Sequence, residues 1–345
     1  MRPPGPLFAK FSIDEFAAVP LMCDRRSLEP GDVLVEVDDP APGLHVVLDG
    51  EVTIERPSDD GDGVVYDVSG RGDVIGEASL FDKRPAMATV RARTAVETLR
   101  LSTRAYRALC ERNDPLAHVI ERVALVTIAK RLRRLDDLVV AKAPGSRSPW
   151  GAPVPKSVLE KIFGWNRRDL SKRDGPPVIP RHPTEILYNS RMFREVPVEV
   201  RDEVASRLIC EDVARGTFLC VQGETSDRMY LLGSGAVEVF VSLDDTGSRV
   251  HRFGLIHGGD VFGITALIDG RPRMATCVVT EDAQVLRLNR GEFYEFVNER
   301  TAAGRAVRRA VLAAFASQLT NAAANLVAVA GDADVMALAA SLESA

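Results

Sequence analysis

GEASLFDKRPAMATV at residues 76–90 and GITALIDGRPRMATC at residues 263–277 are two versions of one motif. Each closes a stretch punctuated by glycines, Gly31, Gly50 and Gly76 in the first copy and Gly216, Gly235 and Gly263 in the second. Gly31 to Gly50 is the same step as Gly216 to Gly235. The last glycine falls two residues later in the second copy, the offset that a two-residue loop insertion leaves. One domain duplicated within one chain follows. The copies differ at two chemically decisive places: Glu77 is matched by Ile264, and Arg273 is matched by Ala86.

Outward from the motif, the first copy reads as strands. PGDVLVEV, GLHVVLDGEVTIERP, GVVYDV and ETLRLST combine β-branched residues, alternation and Gly/Asp/Pro turns. A short helix is expected before them, from Ile13 to Leu21, and a long one after them, from about Pro115 to Val140. In the second copy, helices over ILYNSRMF and VEVRDEVASRL precede the strands GTFLCVQG, RMYLLGSGAVEVFVSL, RVHRFGLI and AQVLRLN, and a last helix starts near Thr301. The expected class is mainly β with flanking helices: two antiparallel barrel or jelly-roll domains joined by long helices. The boundaries read as 1–141 for the first domain, 142–184 for a basic linker, 185–330 for the second domain and 331–345 for a tail.

The 345 residues are 46% hydrophobic and 27% charged, a composition of packed domains and not of a disordered chain. The net charge is −5, yet the stretch from Lys130 to His182 holds thirteen Lys/Arg against five Asp/Glu, an excess of +8 that leaves −13 elsewhere. Cys23, Cys110, Cys210, Cys220 and Cys277 lack metal-ligand spacing, as do the five histidines, and reduced cytosolic thiols are expected. No stretch approaches the ~20 apolar residues of a membrane span. A cytoplasmic protein follows, with no metal, no membrane partner and no nucleophile–base motif of an enzyme.

The motif has a physical logic. A short helix beginning after Gly-Glu offers free N–H groups and a favourable dipole to a phosphate. A glutamate there accepts from a ribose hydroxyl, an arginine pairs with phosphate oxygens, and Ala-Thr lets the backbone approach. On these residues both copies resemble cyclic nucleotide-binding domains, the fold of the catabolite activator protein and of protein kinase A regulatory subunits. The resemblance covers roughly residues 8–140 and 187–325. It implies cyclic AMP or cyclic GMP as ligand. It makes Glu77 the ribose contact of the first copy, with Gly76, Ala78 and Ser79 on the phosphate-facing turn. The arginine position there holds Ala86, and Arg84 or Lys83 would have to reach the phosphate by another path. In the second copy it places Arg273 on the phosphate, with Ala275 and Thr276 behind it and Gly263, Ala266 and Leu267 along the turn, while Ile264 cannot accept from a ribose. Loss of one partner of a charge-assisted pair costs about 1.5–3 kcal/mol, which is roughly tenfold to a few hundredfold in affinity. The second copy keeps charge neutralisation and is the better candidate; the alternative is that both cassettes are vestigial.

KSVLEKIFGWNRRDLSKRD, from Lys156 to Asp174, has the layout of a helix-turn-helix: Leu159 and Phe163 one turn apart, Gly164 at the turn, Asn166 as cap and Leu170 inward. It is similar to the DNA-binding segment of the catabolite activator family, with Arg167, Arg168, Lys172 and Arg173 as groove and phosphate contacts. Glu160 at the helix crossing, Arg173 at a core-closing position and the Gly175-Pro176-Pro177 break depart from that pattern. A basic linker with a docking helix is the alternative.

Two seams complete the reading. Leu125, Ile128, Leu132, Leu135 and Val139, and Leu312, Phe315, Leu319, Ala322, Leu326 and Val329, step by three and four. Helices 120–140 and 302–330 are thus packing faces, paired within the chain or used for a homodimer or protein partner. Two functions stay open: a non-catalytic regulatory sensor or scaffold, towards which the sequence leans, and a cyclic-nucleotide-responsive transcription regulator binding DNA through residues 156–174.

Overall fold

The computed structural model describes residues 23–40, 43–56, 64–82, 84–142, 146–147, 182–244 and 249–330. The early helix at 13–21, the helix-turn-helix reading at 156–174 and the tail from 331 lie outside them. The chain forms two compact units, residues 1–142 with 311–345 and residues 143–310.

The first unit contains β1 (Cys23–Leu28), β2 (Val33–Val35), β3 (Leu44–Asp49), β4 (Val52–Arg56), β5 (Val64–Ser69), β6 (Val74–Ile75), α1 (Glu77–Asp82), β7 (Thr89–Ala92), β8 (Val96–Leu101), α2 (Thr103–Glu111) and α3 (Pro115–Lys142). Its strands make two antiparallel four-stranded sheets, β1-β8-β3-β6 and β2-β7-β4-β5. The chain changes sheet at Gly50, between β3 and β4. Gly50 has φ 82°, and a Cβ there would lie 2.1 Å from the Ala95 carbonyl oxygen. That oxygen belongs to the turn through which β7 and β8 also change sheet, so only glycine fits the crossing. Leu44, Val46, Val74 and Leu101 of the first sheet pack with Leu80, Tyr106, Leu109 and Ile120 from the helices.

Local signals set the helix ends. Ser102 caps α2 by accepting from the Ala105 N–H at 3.1 Å. Asp114 accepts from the Leu116 N–H at 2.9 Å, with Pro115 as the first residue of α3. Leu125, Ile128, Leu132, Leu135 and Val139 of α3 are all buried, as the seam reading expects.

The second unit holds β9 (Ser146–Arg147), α4 (Pro183–Asn189), α5 (Val198–Ser206), β10 (Ile209–Val213), β11 (Phe218–Cys220), β12 (Arg228–Ser242), β13 (Arg249–Ile256), β14 (Val261–Phe262), α6 (Thr265–Asp269), β15 (Thr276–Asn289), α7 (Arg290–Asn298) and the start of α8 (Ala302–Ala330). Its sheet order is β10-β15-β12-β13-β9, with β11 on β15 and β14 on β12. Here the strands corresponding to β3 and β4 run on as one, β12. The strands corresponding to β7 and β8 run on as β15. Register shifts between Leu232 and Val237 bend the pair where the first unit breaks, and Gly235 (φ 83°) occupies the bend. Arg308 is buried and caps α7: its Nη1 donates to the carbonyls of Phe296 at 3.0 Å and Glu299 at 2.5 Å.

By contacts, α8 from Val311 onward groups with the first unit; within that unit the Thr320 hydroxyl donates to the Met87 sulfur at 3.7 Å. The seams pack within the chain, one of the alternatives that the sequence leaves open. Leu125 and Ile128, like Leu312, Phe315 and Leu326, are fully covered within a single chain. Among the described residues no helix is long and apolar enough to cross a membrane.

Asp136 of α3 is half-buried. Desolvation, reinforced by the Asp137 carboxylate and opposed by Arg133, pushes its pKa up to about 7. A raised carboxyl pKa means the fold favours the neutral form, so the cost is absent below the unfolded value near 4 and grows as pH rises towards 7. Asp136→Asn is expected to stabilise the protein by about 1–2 kcal/mol at pH 8, discounted for the water this carboxyl still meets, and not at pH 4. Thermal melts across that range check it; a gain independent of pH refutes it.

Candidate functional site

In both units the cassette rests on the same backbone frame. In the first, the Asp38 N–H donates to the Ala86 carbonyl at 2.8 Å and the Ala86 N–H returns to the Asp39 carbonyl at 2.8 Å. In the second, the Gly223 N–H donates to the Arg273 carbonyl at 2.9 Å and the Arg273 N–H returns to the Glu224 carbonyl at 2.8 Å. Asp38 (φ 66°) and Gly223 (φ 81°) share the left-handed conformation this exchange requires. Gly76 and Gly263 also share positive φ. A Cβ on Gly76 would lie 2.1 Å from the Gly43 carbonyl oxygen. The frame therefore persists while the side chains mounted on it differ.

Glu77, at the first position of α1, is 2% exposed. One of its oxygens accepts from Arg131 Nη1 of α3 in a short contact. The same guanidinium donates through Nε to Asp67 at 3.1 Å and through Nη2 to the Ser69 hydroxyl at 2.8 Å. Arg134 adds a 2.9 Å bond to the other Asp67 oxygen. Burial works against the Arg131 charge, but Glu77 and Asp67 outweigh it, and the guanidinium pKa is raised. The expected ribose acceptor is thus engaged by a cation from the chain itself. Ala78 and Ala86 are buried, Ser79 is half-buried and Arg84 is exposed. Lys83 lies outside the described residues.

The second cassette is arranged differently. Arg273 is 7% exposed and donates to two backbone carbonyls, Gly263 through Nη1 in a short contact and Arg228 through Nη2 at 2.6 Å. Among the described residues it has no carboxylate partner. The Arg228 side chain adds a second positive charge, paired with Asp227 at 2.5–2.6 Å. Ile264, at the ribose position, is buried, as are Ala266 and Leu267; Ala275 is half-buried. The buried Thr276 hydroxyl accepts from the Gln222 N–H at 3.1 Å. The Leu267 carbonyl accepts from the Tyr294 hydroxyl at 2.7 Å, tying α6 to α7. Burial and the Cys220 sulfur push the Tyr230 hydroxyl up to about 12, against Arg228 and Arg273, so it stays a neutral donor. The candidate residues Gly263 and Arg273 are thus brought into contact, whereas Glu77 of the first copy is tied into an existing ion network.

Arg131 escaped the sequence reading, which counted it only within the basic block. Its position carried a signal: it stands three residues after Ile128 and four before Leu135, on the buried face of the seam. Arg167, Arg168, Lys172 and Arg173 lie outside the described residues.

The profile described as cyclic nucleotide-binding domain matches residues 25–113 and 210–300. A cAMP-dependent protein kinase regulatory subunit from Debaryomyces hansenii is 27% identical over 195 residues, 51% of this chain and 42% of that protein. A CRP-like cAMP-activated global transcriptional regulator from Mycobacterium tuberculosis is 28% identical over 119 residues, 33% of this chain and 51% of that protein. The solved regulatory domain of Toxoplasma gondii PKA with cAMP aligns at 21% identity and a TM-score of 0.31, over 85% of this chain and 88% of that one. The matched regions span about half or less of these two curated relatives.

Arg131→Met would leave Asp67 and Glu77 buried without their shared counter-charge. The expected loss is about 3–5 kcal/mol, read by urea unfolding. Adding Glu77→Gln should recover part of it; equal instability of the single and double variants would show that the loss is one of packing.

Proposed function

Because this chain belongs to the cyclic nucleotide-binding domain family, with two such domains in tandem, we propose that it is a non-catalytic regulatory sensor or scaffold with one surviving nucleotide site, in the second domain. The observation that carries this reading is the buried Arg273 guanidinium. It stands on the cassette frame, held by carbonyls and not by a carboxylate. Carbonyl bonds steady the cation without neutralising it, so a phosphate entering the turn meets an uncompensated positive charge. In the first domain Arg131 already occupies Glu77, and Ala86 offers no cation. That domain then acts through packing and protein contacts. A regulatory role accords with the relatives named as kinase regulatory subunits.

The ligand class is a cyclic nucleotide recognised mainly through its phosphate. Without a ribose acceptor at Ile264, affinity is expected to fall roughly tenfold to a few hundredfold below that of a complete cassette. Calorimetry with cyclic AMP and cyclic GMP should give one weak site per chain. Arg273→Ala should weaken it at least tenfold, and Glu77→Gln should leave it unchanged. An affinity indifferent to Arg273→Ala removes the second cassette as the site.

A second reading, transcription regulation through residues 156–174, rests on the +8 charge excess between Lys130 and His182. It requires DNA affinity that falls steeply with salt and that Arg167→Ala with Arg168→Ala diminishes. A mobility-shift titration without retardation at low salt ends that reading.

A further inference from the structure

Two cysteines lie against the second cassette. Cys220 closes β11 and Cys277 follows the Ala-Thr pair into β15, and they are register partners in that antiparallel pairing. Such partners hold their Cα atoms roughly 4.5–5.5 Å apart, inside the range a disulfide spans. Both are reduced and buried, at 3% and 6% exposure. A Cβ built on Gly263 would meet Cys220 Sγ at 3.3 Å and Arg273 Nη1 at 2.7 Å, so thiol and guanidinium converge on the turn glycine from two sides.

We propose that Cys220 and Cys277 form a peroxide-oxidisable dithiol, a modification site built into the second cassette, with Cys220 as the attacking and Cys277 as the resolving thiol. The order of attack follows from the surroundings. The adjacent Cys277 thiol and the charges of Arg273 and Arg228 outweigh desolvation and hold Cys220 below the usual thiol range. Beside Cys220, and itself desolvated, Cys277 is raised well above it. Elsewhere, burial and adjacent carboxylates raise Cys23 and Cys210. A thiol beside guanidinium groups, its pKa lowered by them, is the microenvironment of reactive cysteines.

The chemistry balances with hydrogen peroxide as oxidant. The Cys220 thiolate attacks one peroxide oxygen, the O–O bond breaks, and hydroxide leaves and takes up the proton that Cys220 released. Cys277 sulfur then attacks the Cys220 sulfenic acid, the S–O bond breaks, and a second water leaves with the Cys277 proton. Two thiols and one peroxide become one disulfide and two waters. The product pins β11 to β15 next to the turn. This inference stands independently of nucleotide binding.

The test is differential alkylation and peptide mass mapping of the full chain after a short peroxide pulse. The expected product is one Cys220–Cys277 disulfide, with the intact mass lower by two hydrogens. Cys277→Ser should instead trap a dimedone-reactive sulfenic acid on Cys220. Arg273→Gln should slow disulfide formation about threefold to tenfold at neutral pH, and Cys110→Ser should leave it at the wild-type rate. The proposal is overturned if both thiols remain alkylatable after denaturation at peroxide levels that oxidise exposed methionines, or if the disulfide maps to another pair. The wild-type measurement needs no variant, so a misfolded substitution leaves the answer intact.

Discussion

A guanidinium cannot give up its proton to escape burial, so a buried arginine obliges the chain around it to supply oxygen partners. Each domain meets that obligation at its cassette, with different oxygens. In the first, Asp67 from β5 and Glu77 from the start of α1 bring negative charge to Arg131, and Ser69 completes the fork. The network is neutralised and closed, and it links the long helix to the cassette turn. In the second, Gly263 and Arg228 bring only carbonyl dipoles to Arg273. The geometry is satisfied but the charge is not. The domains share a frame and part ways in electrostatics, and the difference in their proposed roles follows from that.

The frame was legible because it is written in backbone demands. Glycines at 31, 50 and 76, repeated at 216, 235 and 263, report places where the chain turns with positive φ or passes another strand too closely for a Cβ. Strand alternation and the seam residues were legible for the same reason, since periodicity states which face is buried. The ion network was not. Arg131 and Glu77 are 54 residues apart, and no local pattern announces that a helix cation will reach a turn carboxylate across that separation. The short helices α2 and α7 also went unread, although Ser102 before Thr103 is an ordinary cap.

The seams show where pattern reading ends. Steps of three and four identify an apolar stripe and say nothing about what covers it. A dimer, a partner and an intramolecular neighbour all accept the same stripe. Leu125, Ile128, Phe315 and Leu326 are buried within one chain, so the fold itself covers these positions. The alanines that flank the second stripe, Ala316 and Ala323 among them, are buried without residual exposure, which explains their choice over bulkier residues.

The continuous strands β12 and β15 carry a consequence for how the second domain comes apart. In the first domain the two sheets are separate hydrogen-bonded ladders joined through Gly50 and the turn at Ala95, and one ladder can open while the other stays paired. In the second, a single pair of strands runs through the bend and pairs from Arg228 with Asn289 to Phe240 with Thr276. Both halves hang on the same two strands, across the register shifts at the bend, so opening one half loosens the anchor of the other. The cassette lies at one end of that ladder, where Thr276 pairs with Phe240.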